Sequence, residues 1–281
     1  MFGNVEALER QNMRKVIDSN YLRAPEFELY LSKSTLNYAI LTDYVAKEAY
    51  KNESIHGLMA SMEIACRYPE QIIILKCTRT VCGLKERGSG LQKRLIDNVS
   101  TRKFCDYADK LRLAFRGHCG AEAAVARHRQ TAVAELNNLL SDAETIRKVL
   151  GSLSQKYTKE ERGIIRQELS FTEGMKKKLR AHTLNLACEL IRSHPEARMI
   201  PVASSIKNRF LFRLALCMCL LDLRWGTQGG VSGANAKTIS HDMVDMYIVS
   251  YATYFDGLLS KEPKMVQVYR QACHHLNQTF I

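Results

Sequence analysis

Two spacings of apolar residues alternate along this chain. Short apolar runs rich in β-branched residues mark strands, and apolar positions recurring every three to four residues mark helices. Val16-Ile17, Tyr38-Ala39-Ile40-Leu41 and Gln71-Ile72-Ile73-Ile74-Leu75 belong to the first kind. The four consecutive apolar residues of the last run suit a parallel strand buried on both faces. Thr42 or Asp43 stands where a cap is needed for a helix over 44–50. From about Ser89 to His194 the character changes to polar segments with helical spacing, punctuated by Gly117, Gly120, Gly151, Gly163 and Gly174. Beyond Pro201 the pattern predicts a buried helix over 205–224 and a glycine-rich loop from Gly226 to Gly233. A helix opened by Asp242 and running to Thr253, a strand over 255–260, and a last helix from Pro263 to about Asn277 complete the series. Strands and helices alternating at both ends predict an α/β fold with one parallel sheet assembled from both halves. The expected organisation is therefore an α/β domain split into 1–88 and 201–281 around a mostly α-helical, basic insertion at 89–200.

Composition narrows the partners. Lys and Arg total 41 against 29 Asp and Glu, a net charge of +12 over 281 residues. Such a surface attracts polyanions, nucleic acid foremost, with acidic lipid or a protein as other readings. The densest basic cluster, Lys176-Lys177-Lys178-Leu179-Arg180, is the expected grip on a phosphate backbone. Nine scattered cysteines without a Cys-x-x-Cys pair argue against a zinc knuckle and fit a reducing cytoplasm. Residues 1–12 lack a signal-peptide core. The most apolar stretch, Phe210 to Leu221, is short and interrupted by Arg213, so it reads as a buried helix and no membrane span is expected. No P-loop, dinucleotide fingerprint or Gly-x-Ser-x-Gly occurs. His274-His275 reads as surface or interface.

Acidic residues supply the candidate chemistry. Asp18 ends the first strand, and Glu48 lies on the helix after the second. Asp245 is placed in the first turn of the helix after the glycine-rich loop, and Glu262 follows the last strand. In a parallel sheet these positions lie near the carboxyl edge, where ligands bind. Four carboxylates gathered there repel one another, and a divalent cation relieves the repulsion; Mg²⁺ and Mn²⁺ prefer such oxygen ligands. A water held by the metal, with its pKa lowered, can attack a phosphodiester. Each acid also has a plainer reading. Asp18 can serve a turn, Glu48 can be a solvated residue beside Lys47 and Lys51, Asp242 can cap its helix, and Glu262 can favour the start of the last helix. Asp256 is a second choice for the fourth position.

Val16-Ile17-Asp18-Ser19-Asn20 resembles the opening hydrophobic-Asp-Thr-Asn motif of PIN-domain nucleases. Thr42-Asp43-Tyr44-Val45-Ala46-Lys47-Glu48 resembles their second motif, and Asp245-Met-Tyr-Ile-Val-Ser-Tyr-Ala252 their third. Leu258-Leu259-Ser260-Lys261-Glu262 resembles the fourth, with Glu262 where Asp is usual. The four stand in the family's order and cover about residues 14–51 and 239–281. The resemblance implies a PIN-like parallel sheet flanked by helices and a Mg²⁺- or Mn²⁺-dependent endonuclease acting on RNA in preference to DNA. Asp18, Glu48, Asp245 and Glu262 would hold the metal; Ser19 or Asn20 would hold the first carboxylate or a water, with Asp242 and Ser260 in support. It implies a toxin-like, host-defence or RNA-processing role, compatible with an inhibitor or complex partner protein and with an oligomer. The rival expectation is an inactive PIN-like subunit that binds nucleic acid or serves assembly.

Overall fold

The computed structural model describes residues 12–51, 54–141, 154–167, 170–197, 199–202, 204–227 and 236–278. In chain order the elements are β1 (Met13–Ile17), α1 (Pro25–Ser32), β2 (Asn37–Leu41), α2 (Asp43–Tyr50), α3 (Ile55–Arg67) and β3 (Ile72–Ile74). There follow α4 (Thr78–Gly83), α5 (Leu91–Leu95), α6 (Asn98–Arg102), α7 (Phe104–Phe115) and α8 (Cys119–Ser141). The series ends with α9 (Lys159–Arg166), α10 (Glu173–Ser193), α11 (Phe210–Thr227), α12 (Ala236–Ala252), β4 (Gly257–Leu259) and α13 (Pro263–Asn277). Two compact units result. One comprises Met1–Lys76, Leu95–Val133 and Phe255–Lys261; the other comprises Cys77–Arg94, Ala134–Tyr254 and Glu262–Ile281.

The first unit holds the sheet. Its four strands are all parallel, in the order β3-β2-β1-β4. Val16 and Ile17 are fully buried, as are Ala39 and Ile40 on β2, because strands enclosed on both sides need apolar residues in succession. The run expected over 71–75 forms β3 only at Ile72–Ile74. Gln71 falls in a preceding 3-10 turn, where its buried Nε2 donates to the carbonyls of Leu31 (3.0 Å), Ser34 (2.9 Å) and Asn37 (2.7 Å). That amide closes the loop between α1 and β2, its two protons shared among three carbonyls, and this contact replaces a strand conformation at 71. Tyr30 Oη ties α1 to the sheet by donating to Met13 O at 2.8 Å.

The second unit is helical and is built around α11. Every residue from Phe210 to Leu223 is buried, and α9, α10, α12 and α13 pack against it. An all-round apolar helix is stable in water only when enclosed in this way. Arg213 is buried there too. It donates to Lys207 O (3.0 Å) and Thr253 O (2.6 Å), and its guanidinium lies 3.7 Å from the centre of the Tyr254 ring.

Three expectations need correction. The helix expected over 205–224 is Phe210–Thr227, preceded by a 3-10 turn at Ile206–Asn208. Asp242 does not open its helix, and Asp245 is not in a first turn: α12 already runs from Ala236, which puts Asp245 in the third turn. Ile239 and Ser240 are buried, so packing carries the helix through residues that read as a loop. His275 is buried rather than at a surface, with its ring 5.5 Å from that of Phe171. The glycine-rich loop falls largely on 228–235, outside the described residues. Among the described residues no helix is long and apolar enough to cross a membrane, and all nine cysteines are unpaired.

Candidate functional site

Strand order fixes where a site can form. The chain builds β1, β2 and β3 in one direction, then returns to place β4 on the other flank of β1. The order reverses at the β1–β4 pair, and the carboxyl ends of strands at such a switch point are where open α/β sheets bind ligands. Asp18 is the first residue beyond β1 and Ser260 the first beyond β4. The pairing of Ile17 with Leu259 therefore puts them side by side. Ser260 Oγ donates to Asp18 Oδ2 at 2.8 Å, and Asp18 N donates to Leu259 O at 2.9 Å. Asp18 is 3% exposed, a deep position for a carboxylate.

Neighbouring residues support this corner. Asn20 Oδ1 accepts from the backbone N of Lys261 at 3.3 Å, which holds the chain just past Ser260. Ser19 lies in the 3-10 turn Ser19–Tyr21, and the partner seen for the Asp18 carboxylate is Ser260. That turn packs against α2, whose last turn carries the half-buried Glu48. Thr42 caps α2, accepting from Val45 N at 3.3 Å. Lys47, beside Glu48, pairs with Asp43 at 3.4 Å. Lys261 Nζ lies 3.5 Å from Glu26 Oε2. The backbone N–H at the start of α1, and then Lys261, hold the Glu26 carboxyl below its ordinary range.

Asp256 sits elsewhere. Its Oδ2 accepts from Arg14 N at 2.7 Å, and its own N donates to Arg14 O. That is the amino end of the β1–β4 pair, about 13 Å along the strand from Asp18. The second choice for the fourth acid is thereby removed.

The other acids belong to the helical unit. Lys264, one residue into α13 after Pro263, bridges two carboxylates of α12. Its Nζ is 3.0 Å from Asp245 Oδ2 and also bonds Asp242 Oδ1. Trp225 Nε1 donates to the other Asp242 oxygen at 2.9 Å. Burial works against the Lys264 ammonium, but Asp245 and Asp242 together outweigh it and raise its pKa above the ordinary lysine value. Asp242 thus acts as a tie between α11, α12 and α13. Sequence reasoning missed Lys264, which stands two residues past the fourth motif; the i, i+3 spacing of Asp242 and Asp245 was the available hint. Glu262 is exposed at the N-cap of α13 and makes no side-chain capping bond.

The basic cluster is partly structural. Lys178 Nζ bonds Glu161 (2.7 and 2.9 Å) and Lys156 O (3.3 Å), and it lies over the Tyr157 ring. Lys176 pairs with Glu173 at 2.8 Å. Lys177 is exposed and Arg180 half-buried.

Asp18, Ser260 and Asn20 present oxygen only, which suits a hard cation and not a thiolate- or imidazole-seeking one. Among the described residues no three His, Cys, Asp or Glu side chains form a metal-holding group. A single buried carboxylate remains compatible with Mg²⁺, which keeps several waters and takes one or two carboxylates plus substrate phosphate. No family model, no curated protein and no solved structure matches the chain.

Proposed function

We propose that the protein is a metal-dependent endonuclease of PIN-like type that hydrolyses phosphodiester bonds, in RNA in preference to DNA. One observation carries the reading: a buried carboxylate, Asp18, sits at the switch point of an all-parallel sheet, with the Ser260 hydroxyl fixing its orientation. The net charge of +12 supplies the attraction for a polyanion. Asp18 would bind Mg²⁺ or Mn²⁺, with Glu48 of the neighbouring helix assisting. The bound metal would supply a water of lowered pKa and stabilise charge on the phosphorus oxygens. Ser260 holds one oxygen of Asp18, which leaves the carboxylate a single orientation. Asp245 and Glu262, which the resemblance adds to the ligand set, are part of the same proposal and are tested one by one.

A second reading has its own support. Lys264 already places a positive charge on Asp245 and Asp242, so these acids have no need of a metal. That favours an inactive nucleic-acid-binding or assembly subunit. The two readings part in one experiment: cleavage of a labelled RNA by the purified chain with Mn²⁺, compared with Asp18→Asn. The nuclease reading expects at least about 10²-fold loss in the variant, the scale of a lost metal ligand. Equal cleavage by both proteins removes Asp18 from the chemistry. Tight binding with no cleavage by the wild type selects the second reading.

A further inference from the structure

The helical unit exposes a short run of aliphatic side chains that the proposed chemistry does not use. Met199 is 77% exposed, Ile200 41% and Val202 70%. Apolar groups gathered at a surface mark a place that something covers. The backbone beneath them is pinned at both ends. Arg209, which is buried, donates from Nη2 to Met199 O at 3.2 Å. Val202 O accepts from the backbone N of Ser205 (3.1 Å) and of Ile206 (3.2 Å), and from Ser205 Oγ (3.2 Å). These bonds turn the chain into the 3-10 segment ahead of α11. With its carbonyls engaged inward, the run presents its side chains outward.

Basic residues lie alongside. The same Arg209 donates from Nη1 to Leu84 O at 2.9 Å, and its Nε lies 2.7 Å from Glu86 Oε2. One guanidinium thus joins the loop after α4 to the aliphatic run. Gly83 lets the two segments approach, since a Cβ there would stand 3.0 Å from Glu196 Cβ. Lys85 and Arg87, on either side of Glu86, are exposed. Glu86 faces Arg209, and Glu196 pairs with Arg79 at 2.9 Å, so both acids of these segments already meet a guanidinium. Aliphatic side chains beside lysine and arginine are what a protein uses to rest on an anionic bilayer. The apolar groups enter the acyl boundary, and the cations meet the headgroups. A single-stranded nucleic acid calls instead for aromatic rings on which bases stack, and the run from Met199 to Val202 has none. A protein partner needs a pocket shaped for each side chain, whereas a lipid layer closes around any shape.

We infer that Met199, Ile200 and Val202, with Lys85 and Arg87, dock the protein on an anionic lipid surface. Docking of this kind needs no helix that crosses the bilayer, and it is independent of whether the chain cleaves RNA. The full chain should cosediment with vesicles of phosphatidylcholine mixed with phosphatidylserine. Pure phosphatidylcholine should bind it at least about tenfold more weakly, because each basic residue near an anionic surface is worth about fivefold in partitioning. Lys85→Glu combined with Arg87→Glu should lower binding to the mixed vesicles at least about tenfold. Replacing Met199, Ile200 and Val202 together by Ser should do the same by removing the inserted apolar area, at least about tenfold. All five side chains are exposed, so both variants should keep the wild-type Tm. Val202→Trp sets an indole at the contact, and its emission should shift to the blue with mixed vesicles and be quenched by brominated acyl chains. No cosedimentation of the wild type, equal binding to both vesicles, unchanged binding in the serine variant, or no shift in the Val202→Trp emission overturns the inference. Vesicle binding that is unchanged while RNA affinity falls in either variant reassigns the face to nucleic acid and overturns it too.

Discussion

Replacing Lys264 with Met removes an ammonium while keeping a stem of similar length. In the structure that ammonium is the shared counter-charge of Asp242 and Asp245, whose side chains are 9% and 19% exposed. Breaking a fully buried pair costs about 3–5 kcal/mol, because a charge is left behind without compensation. An exposed pair is worth less than about 1 kcal/mol. Lys264 is itself 23% exposed, so the cost of Lys264→Met should fall between these limits, about 2–3 kcal/mol. For a chain of this size that is a fall in Tm of roughly 3–5 °C. The assay is thermal and urea denaturation followed through Trp225, which itself donates to Asp242 and so reports on the spot affected. A double-mutant cycle with Asp242→Asn isolates the pairwise part, expected at about 1–2 kcal/mol. The pH dependence has a defined sign. Lys264 has a raised folded pKa, so its contribution is complete below the unfolded value near 10.5 and is lost as pH rises through the higher folded value. Lys264→Met should remove that alkaline loss. A variant within about 0.5 kcal/mol of wild type, with no coupling to Asp242, would refute the reasoning that this cluster is a buried tie.

Other predictions follow from the same geometry. Ser260→Ala should cost about 1 kcal/mol of stability and weaken Mn²⁺ binding, measured by calorimetry, because Asp18 loses its orienting donor; unchanged Mn²⁺ affinity would speak against the switch-point site. His275, buried against Phe171 and facing the charges of His274 and Lys176, has its pKa pushed down to about 4, burial being the main cause. The unfolded chain takes up its proton near pH 6.5, so stability should fall by up to about 3 kcal/mol between there and pH 4, a slope that His275→Phe should flatten. Within the basic cluster, Lys177→Glu should lower the salt dependence of RNA affinity by about one ion without affecting stability. Lys178→Glu should instead lower the Tm, since it sets a carboxylate against Glu161 and Lys156 O.

The parts of the fold legible in the sequence were those that bury apolar side chains in a fixed rhythm. Val16-Ile17, Tyr38 to Leu41 and the Phe210–Leu221 run announce two strands and a core helix because nothing but burial accommodates them. Thr42 and Pro263 announce helix starts through local chemistry alone. What the pattern concealed depends on tertiary packing. The start of α12 at Ala236, nine residues ahead of Asp245, rests on Ile239 and Ser240 finding a core. Gln71 reads as the first residue of a strand until three carbonyls claim its amide. The candidate site divides in the same way. Asp18 and Ser260 were each legible at a strand end, but the hydrogen bond that joins them was not, because the sequence offered Ser19 or Asn20 for that task. The engagement of Asp242 and Asp245 by Lys264 was not legible either, because which cation meets which acid is settled by how helices pack.

Ser260 and Asp18 are 242 positions apart, and β4 closes on β1 across that interval. Translation at about 5–20 residues per second leaves roughly 12–50 s between the emergence of the carboxylate and that of its hydroxyl partner. During this time β1 can pair with β2, only about 24 positions later, but its other flank stays unpaired, an open strand edge. The Asp18–Ser260 corner is therefore incomplete on a nascent chain. The carboxylate gains its hydroxyl partner only once the long intervening stretch has been made, so the order of synthesis itself sets when this corner closes.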